Sequence, residues 1–184
     1  MIRKVHPAER LGGMPSLIKI NTIAIYHRYA KVRGSMQALW IKGQEPKHVV
    51  AIIGGAVSGS EAARTLAEKG IFCIVIEQNG RPYGKIEDGL PRWHVKLRNA
   101  EYAKINDNLS HPNIVFVPKT RLGDDLSLED LLKNWSVDAV ILANGAWRDR
   151  PLEIEGIDRY IDRGLIYQNP FVYWFNHYVE PGYT

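Results

Sequence analysis

The chain has 184 residues, 45% of them hydrophobic and 24% charged, with 16 Gly, 10 Pro and a single Cys. This is the mixture of a globular protein and excludes disordered and fibrous chains. One cysteine excludes an intramolecular disulfide, a C-x-x-C redox pair and a thiolate metal centre built from this chain alone, so no metal site is expected.

Cys73 reads as a buried thiol in a reducing compartment, which points to a cytoplasmic protein. No apolar stretch approaches the roughly 20 residues needed to span a bilayer. The formal charge of +4 is unevenly spread: residues 1–48 hold 9 basic and 2 acidic groups, leaving 15 and 18 for residues 49–184. The two parts are therefore read separately, as a basic N-terminal extension with linker (1–48) and a folded domain (49–184).

In the extension, Leu17, Ile18, Ile20, Ile23 and Ile25 alternate weakly, and a basic aromatic patch follows at Tyr26, His27, Arg28, Tyr29, Lys31 and Arg33. An organelle-targeting peptide and an arm drawn to an anionic partner by its positive field are both open. The preferred reading is a loosely ordered extension, because Ser content is low and no cleavage-like or nucleic-acid motif occurs. Gly43, Gln44, Glu45 and Pro46 read as a linker.

From Val49 the sequence runs VVAIIGGAVSGSEAARTLAEKGIFCIVIEQNG. Val49–Ile53 and Ile71–Ile76 are nearly continuous in β-branched residues, as expected of parallel strands covered on both faces. Between them Gly59, Ala62, Ala63, Leu66 and Ala67 put a small-residue stripe on one face of a helix, with Gly70 at its C-terminal cap. This is a βαβ unit.

Gly54, Ala56 and Gly59 occupy the three positions of a G-x-G-x-x-G fingerprint, with alanine in the middle. In that turn the first glycine allows the sharp exit from the strand, the second lets backbone approach a pyrophosphate, and the third permits helix to strand contact. The Ala56 methyl enters the tightest place; Gly55 is expected to let the loop shift around it. Amides near Ser58 to Ser60 at the helix start offer an anion site. Glu77 closes the second strand, where a carboxylate accepts hydrogen bonds from the hydroxyls of an adenosine ribose and repels a 2′-phosphate. The site therefore suits FAD or NAD rather than NADP.

The next loop, RPYGKIEDGLPRWHVKLRN, is long and rich in turn formers. The Gly-rich turn, Glu77, Pro82-Tyr83-Gly84 and the later GAWRDRPLEIEG together resemble the FAD-binding half of adrenodoxin and ferredoxin NADP reductases, flavoproteins to which the glutamate synthase small subunit is related. The resemblance covers roughly residues 49–177. It implies an α/β, Rossmann-like FAD-binding domain with a parallel sheet.

Carried over residue by residue, it implies that Gly54, Gly55, Ala56, Ser58 and Gly59 cradle the FAD pyrophosphate. Glu77, with Gln78 beside it, would hold the adenosine ribose. Tyr83, Gly84 and Lys85 correspond to the loop beside the flavin, Thr120 to a backbone contact with adenine, and Ala143, Asn144 and Gly145 to the strand end under the pyrophosphate. His94 falls where the family places a histidine near the flavin and the partner surface, and is a candidate proton carrier. Arg148 stands where the family has an acidic residue, so Arg148, Asp149 and Arg150 are expected to form a salt-bridged turn instead.

Further elements follow from the pattern. Val95, Tyr102, Ile105 and Leu109 mark one face of a helix ended by His111-Pro112, and Val115–Val117 is a strand. Ser127 and Asp130 form a capping-box pattern opening a short helix with Leu128, Leu131 and Leu132 inward and Trp135 closing that core. Asp138–Leu142 is a last strand. The aromatic run around Trp174, Phe175 and Asn176 resembles the family segment that precedes its NADP domain.

No second glycine fingerprint occurs after residue 145. By the resemblance, NAD(P)H as electron donor would be bound by a region missing here. Because hydride transfer needs the nicotinamide held against the flavin ring, a second polypeptide or a C-terminal half is expected as partner, with a ferredoxin-type electron acceptor and no nucleic acid. The alternatives are a split-enzyme subunit, a non-catalytic FAD-binding module and a small NAD-binding protein; whether the chain alone is an enzyme stays open.

Overall fold

The computed structural model describes residues 46–135 and 137–180. The expectations for residues 1–45, including the basic aromatic patch and most of the linker, lie outside the described residues. Four strands form one all-parallel sheet: β1 (Val49–Ile53), β2 (Phe72–Ile76), β3 (Ile114–Val117) and β4 (Ala139–Leu142), in the order β3-β2-β1-β4. The helices are α1 (Val57–Ala67), a single turn α2 (Lys85–Asp88), α3 (Val95–Leu109) and α4 (Gln168–His177). The expected α/β class and all four strands are present.

Register places the site. Ile53 pairs with Ile76 and with Leu142, and Ile76 pairs with Val117. The carboxyl ends of all four strands therefore finish in one row, and the residues after them, Gly54, Glu77, Pro118 and Ala143, emerge side by side. In open α/β sheets ligands bind at this edge, where the strand order reverses.

The sheet is apolar through its thickness: every residue of β1 and β3 is buried, and so are Cys73, Ile74, Val75 and Ile76 of β2. Full burial of side chains such as Ile52, Ile74, Ile76, Ile105 and Leu131 contributes about 1.5–3 kcal/mol each. Helix α1 presents Gly59, Ser60, Ala63 and Ala67 as its buried residues, so the small-residue stripe lets it lie close to the strands. At Gly59 a β-carbon would collide with the Gly54 carbonyl. The Cys73 thiol has no exposure, and burial pushes its pKa up to about 11.

Three expectations need correction. Val95 is 55% exposed, because α3 turns only its later part, Ile105, Asn108 and Leu109, into the core. The capping box forms, with the Ser127 amide donating to Asp130 Oδ2 at 3.1 Å and the Asp130 amide donating to Ser127 Oγ at 3.0 Å. The turn it opens is π-helical over Asp130–Asn134, however, and of its leucines only Leu131 is buried, while Leu128 and Leu132 are about half exposed. Trp135 packs partly buried against the core. No helix among the described residues is long and apolar enough to cross a membrane.

Candidate functional site

At the carboxyl edge of the sheet lies a cavity of about 890 Å3, within the 300–1,000 Å3 range typical of small-molecule and cofactor sites. Its walls come from four successive strand ends. The β1 exit gives Gly54, Ala56, Val57 and Ser58; β2 gives Glu77 and Gln78; the loop to α2 gives Tyr83, Gly84, Lys85 and Ile86. The segment after β3 adds Thr120, Arg121 and Leu122, and that after β4 adds Ala143 to Arg148. Most of the residues named from the sequence are thereby brought together.

The turn is built by sterics. Gly54 has φ +102°, and a β-carbon there would lie 2.5 Å from the Ala143 carbonyl oxygen, so only glycine allows the β1 exit to cross the end of β4. The Gly54 amide donates to the Ile76 carbonyl at 2.7 Å, and the Ala143 amide to the Ile53 carbonyl at 2.8 Å. These bonds tie the turn to both neighbouring strands.

Gly55 and Gly59 do not line the cavity. Gly55 is buried with its amide donating to Glu77 Oε2 at 2.9 Å, and a β-carbon on it would sit 3.1 Å from both Phe116 and Pro82. It therefore has no slack to yield to the Ala56 methyl. The room comes from Gly84, at φ +47°, where a β-carbon would stand 2.9 Å from that of Ala56. The expected amide donors at the helix start also narrow, since the Ser60 amide is used by the Ala56 carbonyl at 2.8 Å.

Glu77 is 5% exposed and accepts the Gly55 and Asn79 amides, one on each carboxylate oxygen at 2.9 Å. Desolvation raises its pKa above the usual carboxylate range, opposed by these amides and that of Gln78. An ionised carboxylate offers about four lone-pair positions. The Gly55 and Asn79 amides take two and the Gln78 amide acts as a third donor, which leaves acceptor capacity for a ligand hydroxyl. Thr120 spends its amide on the Glu77 carbonyl at 2.9 Å and its hydroxyl proton on the Pro118 carbonyl at 3.2 Å, so its backbone contribution to a ligand is its carbonyl.

On the wall built by the loop to α2 and the segment after β4, the Lys85 ammonium lies 4.8 Å over the Trp147 ring. Lys85, Arg121 and Arg148 supply positive charge to the lining, which suits a pyrophosphate. Trp147, Arg121 and Leu122 were not singled out by sequence reasoning. The available signal was their place directly after residues already assigned to strand ends, since anything leaving that edge meets the cavity.

Arg148 points to the cavity rather than to a salt-bridged turn. Among the described residues no ion pair joins Arg148, Asp149 and Arg150, and Asp149 instead accepts the Asn169 amide at 3.4 Å. His94 is exposed at the start of α3, outside the cavity lining, with its ring 5.8 Å from that of Trp93.

The geometry admits a dinucleotide on four counts: a glycine cradle that any β-carbon would fill, a buried carboxylate with spare acceptor capacity, cations at the mouth, and sufficient volume. No family model matches the chain. Among curated proteins it is 28% identical over 150 residues to the glutamate synthase [NADPH] small chain of Mycobacterium tuberculosis, covering 77% of this chain and 28% of that one. It is 28% identical over 159 residues to the mitochondrial NADPH:adrenodoxin oxidoreductase of Drosophila melanogaster, covering 85% and 33%. The solved structure of Mycobacterium tuberculosis FprA in complex with NADPH superposes with a TM-score of 0.62 at 26% identity, covering 70% of this chain and 29% of that chain. The chain thus spans about a third or less of the length of these relatives. Its homologues are FAD oxidoreductases of the ferredoxin and adrenodoxin NADP reductase type, matched over part of their length.

Proposed function

We propose that this chain forms the FAD-binding portion of a flavoprotein oxidoreductase that moves electrons between NAD(P)H and an acceptor such as a ferredoxin. The observation that carries the reading is Glu77: a buried carboxylate at the end of β2, anchored to the glycine turn through Gly55 and still able to accept a hydroxyl donor. When bound, FAD would supply the electron-accepting ring. The chain's own part is to bind and orient it. Gly54, Ala56 and Ser58 face the pyrophosphate, Glu77 and Gln78 the adenosine ribose, Thr120 the adenine side, and Ala143, Asn144 and Gly145 the underside of the diphosphate. Gly55 and Gly59 hold the turn in shape from behind, and Tyr83, Gly84 and Lys85 form the wall at the flavin end.

In this reading the nicotinamide nucleotide is held by polypeptide outside the described residues, on a second chain or a further domain, and His94 serves as a proton carrier on the partner-facing surface. Competition calorimetry tests the cofactor assignment: FAD should bind more tightly than NAD, and tighter NAD binding would favour the small NAD-binding alternative. Reconstitution tests the activity. Addition of the partner bearing the nicotinamide site should give NAD(P)H oxidation with a ferredoxin, and FAD that no partner allows to be reduced would leave a non-catalytic binding module.

A further inference from the structure

Helix α4 presents an unusual face. Phe171, Tyr173 and Trp174 are each about 45% exposed, and its one buried residue is the polar Asn176. Apolar burial on this helix is slight, although Phe175 packs edge-on against Trp93 at 4.8 Å. Asn176 Oδ1 accepts the Arg92 amide at 2.9 Å, while Nδ2 donates to the Glu87 carbonyl at 3.1 Å and the Leu90 carbonyl at 2.9 Å. One side chain thus closes the segment 87–92 from three directions, and the pattern of one donor and two acceptors around it fixes which way the amide faces.

Two further contacts run parallel to it. The Lys85 ammonium donates to Asn169 Oδ1, and His177 Nε2 lies 3.1 Å from Asp88 Oδ1. The segment gripped in this way begins at the cavity wall, where Gly84, Lys85 and Ile86 stand opposite Trp147. A buried polar residue with all its partners satisfied specifies one arrangement, and its removal takes away the partner of the Arg92 amide and of the Leu90 carbonyl, while the Glu87 carbonyl keeps the Arg98 guanidinium at 3.1 Å.

We infer that Asn176 is a positioning residue: it locks the segment from Lys85 to Arg92 against α4 and so sets the cavity wall that Gly84 and Lys85 form beside Trp147. The inference rests on the FAD reading above. Because Glu77 and Thr120 follow β2 and β3, outside the gripped segment, the effect is largest for ligands long enough to pass Lys85 and Trp147.

The test uses the full chain and two probes, FAD and ADP, the latter lacking the flavin half. For Asn176→Ala, FAD affinity should fall about tenfold, with a clearly smaller loss for ADP. Equal loss of both would mark a merely structural residue, and unchanged FAD affinity would remove the role; either overturns the inference. In the wild-type chain, a measurement that does not depend on the variant's folding, the Arg92 amide should exchange with solvent more slowly with FAD bound than with ADP bound. Equal rates would overturn the inference. A wild-type chain that binds ADP but not FAD would overturn the FAD reading and the inference with it, whereas failure of the variant contrast alone leaves that reading standing.

Discussion

Glu77 and Ala56 carry most of the specificity argument at the level of single residues. Glu77 is the one buried carboxylate among the described residues, and its amide donors hold it ready for hydroxyl groups while its charge disfavours a 2′-phosphate. Glu77→Ala should weaken FAD binding by about 1.5–3 kcal/mol, roughly ten- to a hundredfold. An unchanged dissociation constant in a calorimetric titration would remove Glu77 from the site. Ala56 departs from the glycine fingerprint, yet its methyl sits against Gly84 rather than against slack in the turn. Ala56 is also the N-cap of α1 and makes no side-chain capping bond, and glycine is better than alanine there. Ala56→Gly should therefore leave FAD affinity unchanged or improved, and weaker binding would show that the methyl contributes to the cradle.

Among the elements, those with strong local patterns were legible in the sequence, and those set by tertiary contact were not. The β1-α1-β2 unit could be read because continuous β-branched runs and a small-residue stripe leave few alternatives, and the capping box because Ser127 and Asp130 satisfy each other within four residues. Ser127→Ala should cost about 1 kcal/mol, seen as a lowered thermal midpoint. No shift would mean the π turn is held by Leu131 alone. The exposure of Val95, Leu128 and Leu132, the source of room for Ala56 and the grip of Asn176 on residues 87–92 each depend on a partner far along the chain, which no local period reports. The seat of α4 also depends on pH. Burial works against the charged form of His177, but hydrogen bonds and charges from Glu180 and Asp88 outweigh it and raise its pKa above the ordinary value. Because the folded value is the raised one, the stabilisation is fully present below the unfolded value and is lost as pH rises through the folded value. His177→Gln should flatten the stability of the chain over that window in a series of thermal melts, and an identical pH dependence would place the stabilisation elsewhere.

Over the whole molecule, four parallel strands ending in one row place a glycine turn, a carboxylate and three cations around a cavity. Gly54, Glu77, Thr120 and Ala143 are far apart in sequence, and the shared strand register brings them together. The homologues match over part of their length, so the central claim is the cofactor site and the activity follows from it. It is tested most directly by the visible absorption spectrum of the purified chain after addition of FAD and removal of unbound flavin by gel filtration. A perturbed flavin spectrum that elutes with the protein, and is lost together with Glu77 in the alanine variant, is the predicted result. A chain that elutes colourless while remaining folded would contradict the assignment.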